Sequence, residues 1–300
     1  MKFTWIYEEE KPCLLRTYLK HLHLPNSFIK WVKRDGSFNV NGSSVTVRYL
    51  LQPGDRLEVI CPLEQGHDTV IPTFEPIDIV YEDSHLLIVN KPAGILSIPS
   101  VKDPKSSMAN RVKGYYVKQG YEDQVIHIVT RLDRYTSGLM LIAKHRLAHA
   151  WLDRQLAQNT LERIYIGISS RSAWPYRGVI DAPIGRDELS IITRRITSTG
   201  KSARTSYKLL QLLKDSALLE FQLHTGRTHQ IRVHTQYMGG PLVGDELYGG
   251  PVMYPLTRQG LHCHIIRLVH PFTQEKLEIT IPLADDMKQW VQLHKIRNGA

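Results

Sequence analysis

RLDRYTSGLMLIAK, residues 131–144, joins a charged half to an apolar half. The run from Leu139 to Ala143 is short, continuous and opened by a Thr-Ser-Gly turn, which reads as a strand buried in a core. Immediately before it Asp133 sits between Arg131 and Arg134. Positive charge on both sides holds such a carboxylate ionised when the arginines turn towards it, which makes it a poor general acid. It is left as a nucleophile, a metal ligand or a structural partner. If the segment is extended, Arg131 and Asp133 share a face with Leu132 behind them. The residues alone leave open a purely structural Arg-Asp turn ahead of a core strand.

Outward from this point the chain reads as strands with helices between them. Upstream, DIVYEDSHLLIVNKPAG gives strand, turn, strand and a Pro-Gly stop at Pro92 and Gly94, and MANRVKGYYVKQG gives a short helix in an otherwise polar stretch from Pro99 to Gln124. Downstream, RLAHAWLDRQLAQ is helical by spacing. RIYIGIS, SYKLLQLL, SALLEFQLHT and KLEITIPL are strands, and a helix opens within TGRTHQIRVHTQYMG. The fold class expected is α+β, mostly antiparallel, with helices packed on the sheet.

The N-terminal part has a different rhythm. CLLRTYLKHL places Leu14, Leu15, Tyr18, Leu19 and Leu22 on one helical face, and SFIKWVKRDG forms a second helix stopped by Gly36. FNVNG and SSVTVRYLL are two strands around Asn41-Gly42, and PGDRLEVI is a last strand. CPLEQGHDTVIPTFEPID, residues 61–78, is Pro- and Gly-scattered and reads as a linker. The division expected is a small unit with its linker over 1–70 and a larger domain over 71–300.

The formal net charge is +9, with 38 Lys and Arg against 29 Asp and Glu and a pI near 9.4. That excess favours a polyanionic partner, RNA or DNA ahead of an anionic membrane. Three cysteines, Cys13, Cys61 and Cys263, are odd in number and irregular in spacing, which argues for a reducing compartment and against a disulfide framework. With no secretory signal and no apolar run of membrane length, the expected location is the cytoplasm.

A second constellation is LHTGRTHQIRVH, from Leu223 to His234. Arg227, Thr228 and His229 crowd the expected start of a helix whose free N–H groups favour phosphate. His229, Arg232 and Val233 line one face, with Gln230 and His234 in a neighbouring row and no carboxylate among them. A zinc reading finds little support. His229 and His234 are five apart, and HCH at His262, Cys263 and His264 reads as a structural pair on a strand, so no metal is expected. In LERIYIGI, strand alternation puts Arg163, Tyr165 and Gly167 on one face; a lone strand tyrosine is ordinarily packing with a tethered hydroxyl.

NKPAG (Asn90 to Gly94), RLDRYTSGLMLIAK, the RIYIGI strand, TGRTHQIRVH (Thr225 to His234) and GGPLVGDELYG (Gly239 to Gly249) occur here in one order, and together they resemble the RluA-type pseudouridine synthase family. The N-terminal unit, with its leucine-rich helix, KWVKRDG and VNG, resembles an S4 RNA-binding domain. The resemblance implies a mixed, mainly antiparallel catalytic sheet and an isomerase that converts uridine in RNA to its C5-linked isomer without a cofactor. It implies Asp133 as nucleophile, Tyr165 stacked beneath the target base, Arg232 paired with Asp133, and Arg131 helping to extrude the uridine or fill its place. Lys91, Arg227, His229 and Gln230 are the further substrate-binding residues expected. Arg16, Lys30, Lys33 and Arg34 cluster on the two N-terminal helices as its phosphate-binding face. Two positions depart from the family pattern: Thr130 stands where histidine is usual and Tyr135 where aspartate is usual, which affects the substrate carried over more than the reaction.

The function expected is therefore modification of uridines in RNA, 23S ribosomal RNA first and transfer RNA second, by a monomer with no obligate protein partner. A non-catalytic RNA-binding assembly factor is the alternative from another class, and a metal-dependent RNA hydrolase drawing on the fourteen histidines is a weaker third.

Overall fold

A computed structural model describes residues 1–64 and 70–296. The first unit holds strands β1 (Lys2–Ile6), β2 (Cys13–Leu14), β3 (Ser37–Val40), β4 (Ser43–Val45), β5 (Leu50–Leu51) and β6 (Arg56–Ile60) with helices α1 (Leu15–His21) and α2 (Asn26–Asp35). Its main sheet runs β1-β6-β3-β4, antiparallel throughout. The turn at Asn41-Gly42 links β3 to β4 with both residues at positive φ, +52° and +85°, the geometry a tight hairpin with right-handed strand twist requires.

Two expectations fail in this unit: Leu14, expected on the first helical face, belongs to β2, and a later strand is broken. SSVTVRYLL is not a single strand: it breaks after Val45, and its end returns as β5 to pair with β2. The reason lies in the neighbouring helix. No side chain caps the start of α1, and the N–H groups of Leu15 and Arg16 instead donate to the carbonyls of Tyr49 (2.8 Å) and Val47 (2.9 Å). A free helix N-terminus needs such acceptors, and the broken strand supplies them.

The larger part begins with β7 (Ile79–Glu82), β8 (Leu86–Lys91), α3 (Met108–Gln119), β9 (His127–Ile128), β10 (Ser137–Ala143), α4 (Arg146–Ala157) and β11 (Glu162–Ser169). It continues with β12 (Arg177–Asp181), β13 (Ile184–Asp187), β14 (Ser190–Ile196), β15 (Arg204–Leu212), β16 (Ala217–Leu223), α5 (Gln230–Tyr237), β17 (Leu261–Val269), β18 (Lys276–Thr280) and α6 (Asp285–Leu293). Ten of these strands form one sheet, ordered β12-β15-β16-β11-β17-β10-β8-β7 with β18 on β17 and β9 on β10; β13 and β14 form a separate hairpin. The β10–β17 pair is parallel and every other pairing between these strands is antiparallel. The mixed, mainly antiparallel α+β fold is thus observed.

The apolar run that the sequence marks as a core strand is β10, and all seven of its residues are buried. Register across it places the site. Tyr165 on β11 faces Cys263 on β17, and Cys263 faces Gly138 on β10, so the strand tyrosine and the end of the RLD loop lie on one row of the sheet. Gly138 has φ +112°, and a Cβ there would overlap the Cys263 backbone, so only glycine allows this approach.

The 61–78 stretch expected as a linker lies partly outside the described residues, at 65–69, as do the last four residues of the second expected domain. Its later part is strapped to α3: Asn110 Nδ2 donates to the Ile71 carbonyl (2.7 Å) and Thr73 N–H to the Asn110 carbonyl (3.1 Å). Among the described residues no helix is long and apolar enough to cross a membrane.

Where the N-terminal unit meets the rest, the apolar cluster of Phe3, Leu15, Phe28 and Leu57 takes in Leu147 from α4, with Phe272 and Trp151 packed against it. His85 stacks on Phe272 with ring centres 3.7 Å apart, and His85 Nδ1 and His145 Nε2 are 2.9 Å apart. His145 also caps α4 by accepting from the Ala148 N–H (3.2 Å). Burial, with the nearby His85, pushes the His145 pKa down to about 3. The unfolded chain therefore binds a proton below about pH 6.5 that the folded chain refuses down to about pH 3, and stability falls as pH falls through that window. Each pH unit removes up to about 1.4 kcal/mol. His145→Asn keeps a capping oxygen without the titration. It is expected to lose about 2 kcal/mol less than the wild type in denaturant unfolding between pH 6.5 and 5; an unchanged slope would contradict the assignment.

Candidate active site

The RLD segment is a loop fastened at successive points. Ser97 Oγ donates to the Leu132 carbonyl (2.8 Å) and accepts from the Leu132 N–H (2.9 Å). Arg134 Nε donates to the Gly94 carbonyl (2.9 Å), and Gly94 N–H returns a bond to the Arg134 carbonyl (2.9 Å). Arg258 donates to the Tyr135 carbonyl (3.0 Å) and to Ser137 Oγ (3.1 Å) while Asp286 of α6 grips it through both carboxylate oxygens, 2.7 and 2.9 Å. Loops placed by so many backbone bonds present a side chain in a fixed direction.

The side chain so presented is Asp133, about a quarter exposed. Arg232 Nη1 lies 3.1 Å from its Oδ2, so the structure brings together the two residues expected to pair. Arg232 is itself held from behind by Asp245, whose two oxygens accept from Nε and Nη2 at 2.8 Å each. The helix face itself carries no carboxylate, as expected, and Asp245 reaches Arg232 from a loop thirteen residues further on. Burial works against the Arg232 charge, and Asp245 and Asp133 more than offset it, so its pKa is raised.

These groups stand in an open cavity of about 1100 Å³. Its lining includes six arginines (131, 134, 163, 227, 232 and 258) against the carboxylates of Asp133, Asp245 and Glu246, a cationic hollow suited to a polyanion. Tyr165 forms part of the wall and is 4% exposed. Burial, then Cys263, drives its hydroxyl far above the usual tyrosine value, so it meets a ligand as a neutral ring. Arg131 and Arg227 are exposed at the cavity, and Arg227 Nε is tied to the Ser202 carbonyl (2.8 Å).

Three expectations about the surroundings change. Lys91 is fully buried and outside the cavity lining; its Nζ donates to the carbonyls of Pro92 (2.9 Å), Ile95 (2.8 Å) and Arg134 (3.0 Å). It ties NKPAG to the RLD loop from within, and burial with Arg258 nearby pushes its pKa down to about 7. The helix α5 begins only at Gln230, so Arg227, Thr228 and His229 precede it, and His229 takes a left-handed backbone (φ +59°) at the cap. Gln230 touches the cavity wall, yet its amide is used inside the protein. Oε1 accepts from Arg227 N–H (2.9 Å) and Thr225 Oγ1 (2.7 Å), and Nε2 donates to Arg204 O (3.0 Å) and Thr205 Oγ1 (2.9 Å).

His229 lies closer to the centre, with Nε2 3.9 Å from Asp133 Oδ2. Of the two departing positions, Thr130 is buried and accepts from the Leu141 N–H (2.9 Å), whereas Tyr135 is half exposed. Arg16, Lys30, Lys33 and Arg34 are all exposed on α1 and α2, and Arg34 is paired with the adjacent Asp35 at 2.8 Å. His262 Nδ1 lies 2.9 Å from Ser137 Oγ. Among the described residues, no group of three His, Cys, Asp or Glu side chains is placed to hold a metal ion.

Sequence reasoning misses Asp245, Arg258, Ser97 and Arg163. Asp245 stands in the quoted GGPLVGDELYG run, where an aspartate before a Gly-flanked turn gave no local reason to expect an arginine partner. Arg163 lines the cavity: its guanidinium passes 3.4 Å from where a Cβ on Gly226 would stand, and its buried Nε has no hydrogen-bond partner among the described residues.

Residues 85–237 match the RNA pseudouridylate synthase family. The chain is similar to an uncharacterised RNA pseudouridine synthase, YjbO, of Bacillus subtilis (strain 168), at 42% identity over 86% of this chain and 90% of that protein. It is similar at 33% identity to the ribosomal large subunit pseudouridine synthase D of Pseudomonas aeruginosa, over 88% of this chain and 85% of that one. Among solved structures, human RNA pseudouridylate synthase domain containing 4 has a TM-score of 0.59 at 22% identity, covering 72% of this chain and 92% of that one, a likeness of fold.

Removing a partner from a buried charge leaves the other exposed to the full desolvation penalty. Asp245→Ala is therefore expected to lower unfolding free energy by about 3–5 kcal/mol. Asp133→Ala, which leaves Arg232 with Asp245, should cost less than about 1 kcal/mol. Urea unfolding of both variants checks the asymmetry; equal losses would contradict it.

Proposed function

The chain belongs to the RNA pseudouridylate synthase family, and from that membership we propose that it modifies uridines of large-subunit ribosomal RNA with Asp133 as the nucleophile. The pairing of a fastened Asp133 with Arg232, in an arginine-lined cavity walled by a neutral tyrosine, is the observation that carries this reading. Two kinds of chemistry have to be served. The target base must leave its stack, at a cost of a few kcal/mol, before any group reaches its glycosidic bond. An aromatic ring that takes the extruded base returns about 1–3 kcal/mol, and Tyr165 is assigned that part. Arg131, exposed at the cavity, assists extrusion, and Arg227 and Arg163 receive backbone phosphate or the polar edge of the base.

The reaction itself is an isomerisation and balances without a co-reactant. The bond from ribose C1′ to N1 breaks, a C1′–C5 bond forms, the C5 hydrogen leaves as a proton and N1 takes one up. Asp133 as nucleophile bonds C1′ as N1 leaves and is released when C5 bonds C1′, and Arg232 directs the carboxylate in that exchange. No step calls for a metal or a redox group.

The ribosomal assignment is supported by the ribosomal large subunit pseudouridine synthase D relative and by the N-terminal unit, read as an S4-like RNA-binding module over residues 1–70. Arg16, Lys30 and Lys33 give that unit a second RNA contact, with Arg34 contributing less because Asp35 already engages it. We propose a cytoplasmic protein acting as a monomer.

Incubation of the protein, in chelator, with unmodified ribosomal and transfer RNA transcripts, followed by chromatographic separation of nucleosides, tests the proposal. Pseudouridine is expected in the ribosomal transcript from the wild type, and Asp133→Asn should form it at least about 10³-fold more slowly. Product in transfer RNA alone would move the substrate class. RNA binding by both proteins with no product in either transcript would overturn the catalytic assignment in favour of a binding factor.

A further inference from the structure

Tyr248 has no role in the scheme above, yet it touches both Arg232 and His229, the two groups that flank Asp133. It closes a one-turn 3-10 helix, Glu246–Tyr248, and is buried with Ile184, Ala203 and Val233 between α5 and the base of the β13–β14 hairpin. Its ring lies under the Arg232 guanidinium, 4.8 Å from the ring centre. Its hydroxyl meets the Arg194 backbone N–H of β14 at 3.0 Å and His229 Nδ1 at 2.8 Å.

The donor count decides which way these bonds run. A backbone N–H only donates, so the Tyr248 oxygen accepts from Arg194. The phenol must then place its own proton, and His229 Nδ1 is the acceptor within reach among the described residues. An imidazole that accepts at Nδ1 carries its hydrogen on Nε2. That Nε2 faces Asp133 Oδ2 across 3.9 Å, beyond hydrogen-bond length and within closing distance of it. His229 holds this place with a left-handed backbone, a conformation that residues other than glycine seldom adopt.

The groups facing the imidazole come from four places: Asp133 before β10, Arg232 on α5, Asp245 and Tyr248 from the GDELY segment, and Arg194 on the hairpin. Burial, against the pull of Asp133, keeps the ring neutral. A neutral donor complements Arg232 without adding a second full charge. On closing from 3.9 Å it would meet one carboxylate oxygen with a neutral N–H and release it freely when Asp133 engages substrate.

We infer that Tyr248 is a positioning residue that fixes His229 with its Nε2–H towards Asp133, so that a series running from the hairpin backbone through Tyr248 and His229 sets the direction of the nucleophile. The inference rests on the isomerase reading for its consequence and on hydrogen-bond geometry for its existence. His229 is likewise a positioning residue, acting through Asp133.

Ring nitrogen NMR of the protein labelled with ¹⁵N-histidine tests the series directly, the His229 signals being assigned by their loss in His229→Gln. In the wild type His229 is expected as the Nε2-protonated form, and in Tyr248→Phe as a mixture with the Nδ1-protonated form. With RNA substrate, Tyr248→Phe should lower kcat about tenfold while KM stays within about twofold. His229→Gln keeps an N–H donor near Asp133 and should hold at least about a third of wild-type kcat, whereas His229→Leu should fall about tenfold or more.

A wild-type His229 protonated on Nδ1 would overturn the inference, as would Tyr248→Phe with unchanged kcat, or equal activity in the Gln and Leu variants. If Tyr248→Phe fails to fold, the wild-type tautomer and the Gln–Leu pair still decide. If the wild type forms no pseudouridine, the isomerase reading fails separately, since the tautomer is read without turnover.

Discussion

Arg232 is shared between two carboxylates, and the site is organised around that sharing. Asp245, almost fully buried, takes two of its nitrogens, Nε and Nη2, and leaves the third, Nη1, for Asp133 at 3.1 Å. A guanidinium suits the task because its planar fork serves one carboxylate bidentately while still presenting an N–H elsewhere, which a lysine ammonium does with far less directional control. The division of labour explains the burial gradient, from Asp245 inside, through Arg232, to Asp133 at the cavity. Stability is vested in the inner pair and reactivity in the outer one.

Everything else fixes the two ends of that contact relative to each other. Asp133 is placed by a loop whose backbone is bonded at Leu132, Arg134 and Tyr135 to Ser97, to Gly94 with Lys91, and to Arg258. Arg232 is placed by α5, packed against the hairpin and the strands beside it. The sheet brings these ends together: the parallel β10–β17 pair and the antiparallel β17–β11 pair set Gly138, Cys263 and Tyr165 on one row. The floor of the cavity and the reactive loop thus share a rigid base.

Much of this was legible in the residues, and the part that was not has a common character. Strand β10, the short helix α3 and the Asn41-Gly42 turn are written in local patterns, because each depends on neighbours a few positions away. Asp133, Tyr165 and Arg232 were recognisable through motif order, and the structure brings Arg232 to Asp133. Lys91, expected among the substrate-binding residues, is turned inward instead, and only the meeting of three carbonyls from two segments explains its burial. Asp245 escaped for the same reason: its partner is on another element, and local spacing says nothing of it. The broken strand after Val45 follows from the unsatisfied N-terminus of α1, a demand made by one element on another.

The account depends on Arg232 directing Asp133 at the moment of reaction, and single-turnover kinetics separates that role from binding. RNA carrying tritium at C5 of uridine releases it when C5 joins the ribose, so the release rate reports the isomerisation. With enzyme in excess, Arg232→Lys is predicted to slow release by about 10²-fold or more while its Kd for the RNA stays within about threefold of the wild type. Release at the wild-type rate, or a loss accounted for by weaker RNA binding, would contradict the claim that this arginine directs the nucleophile.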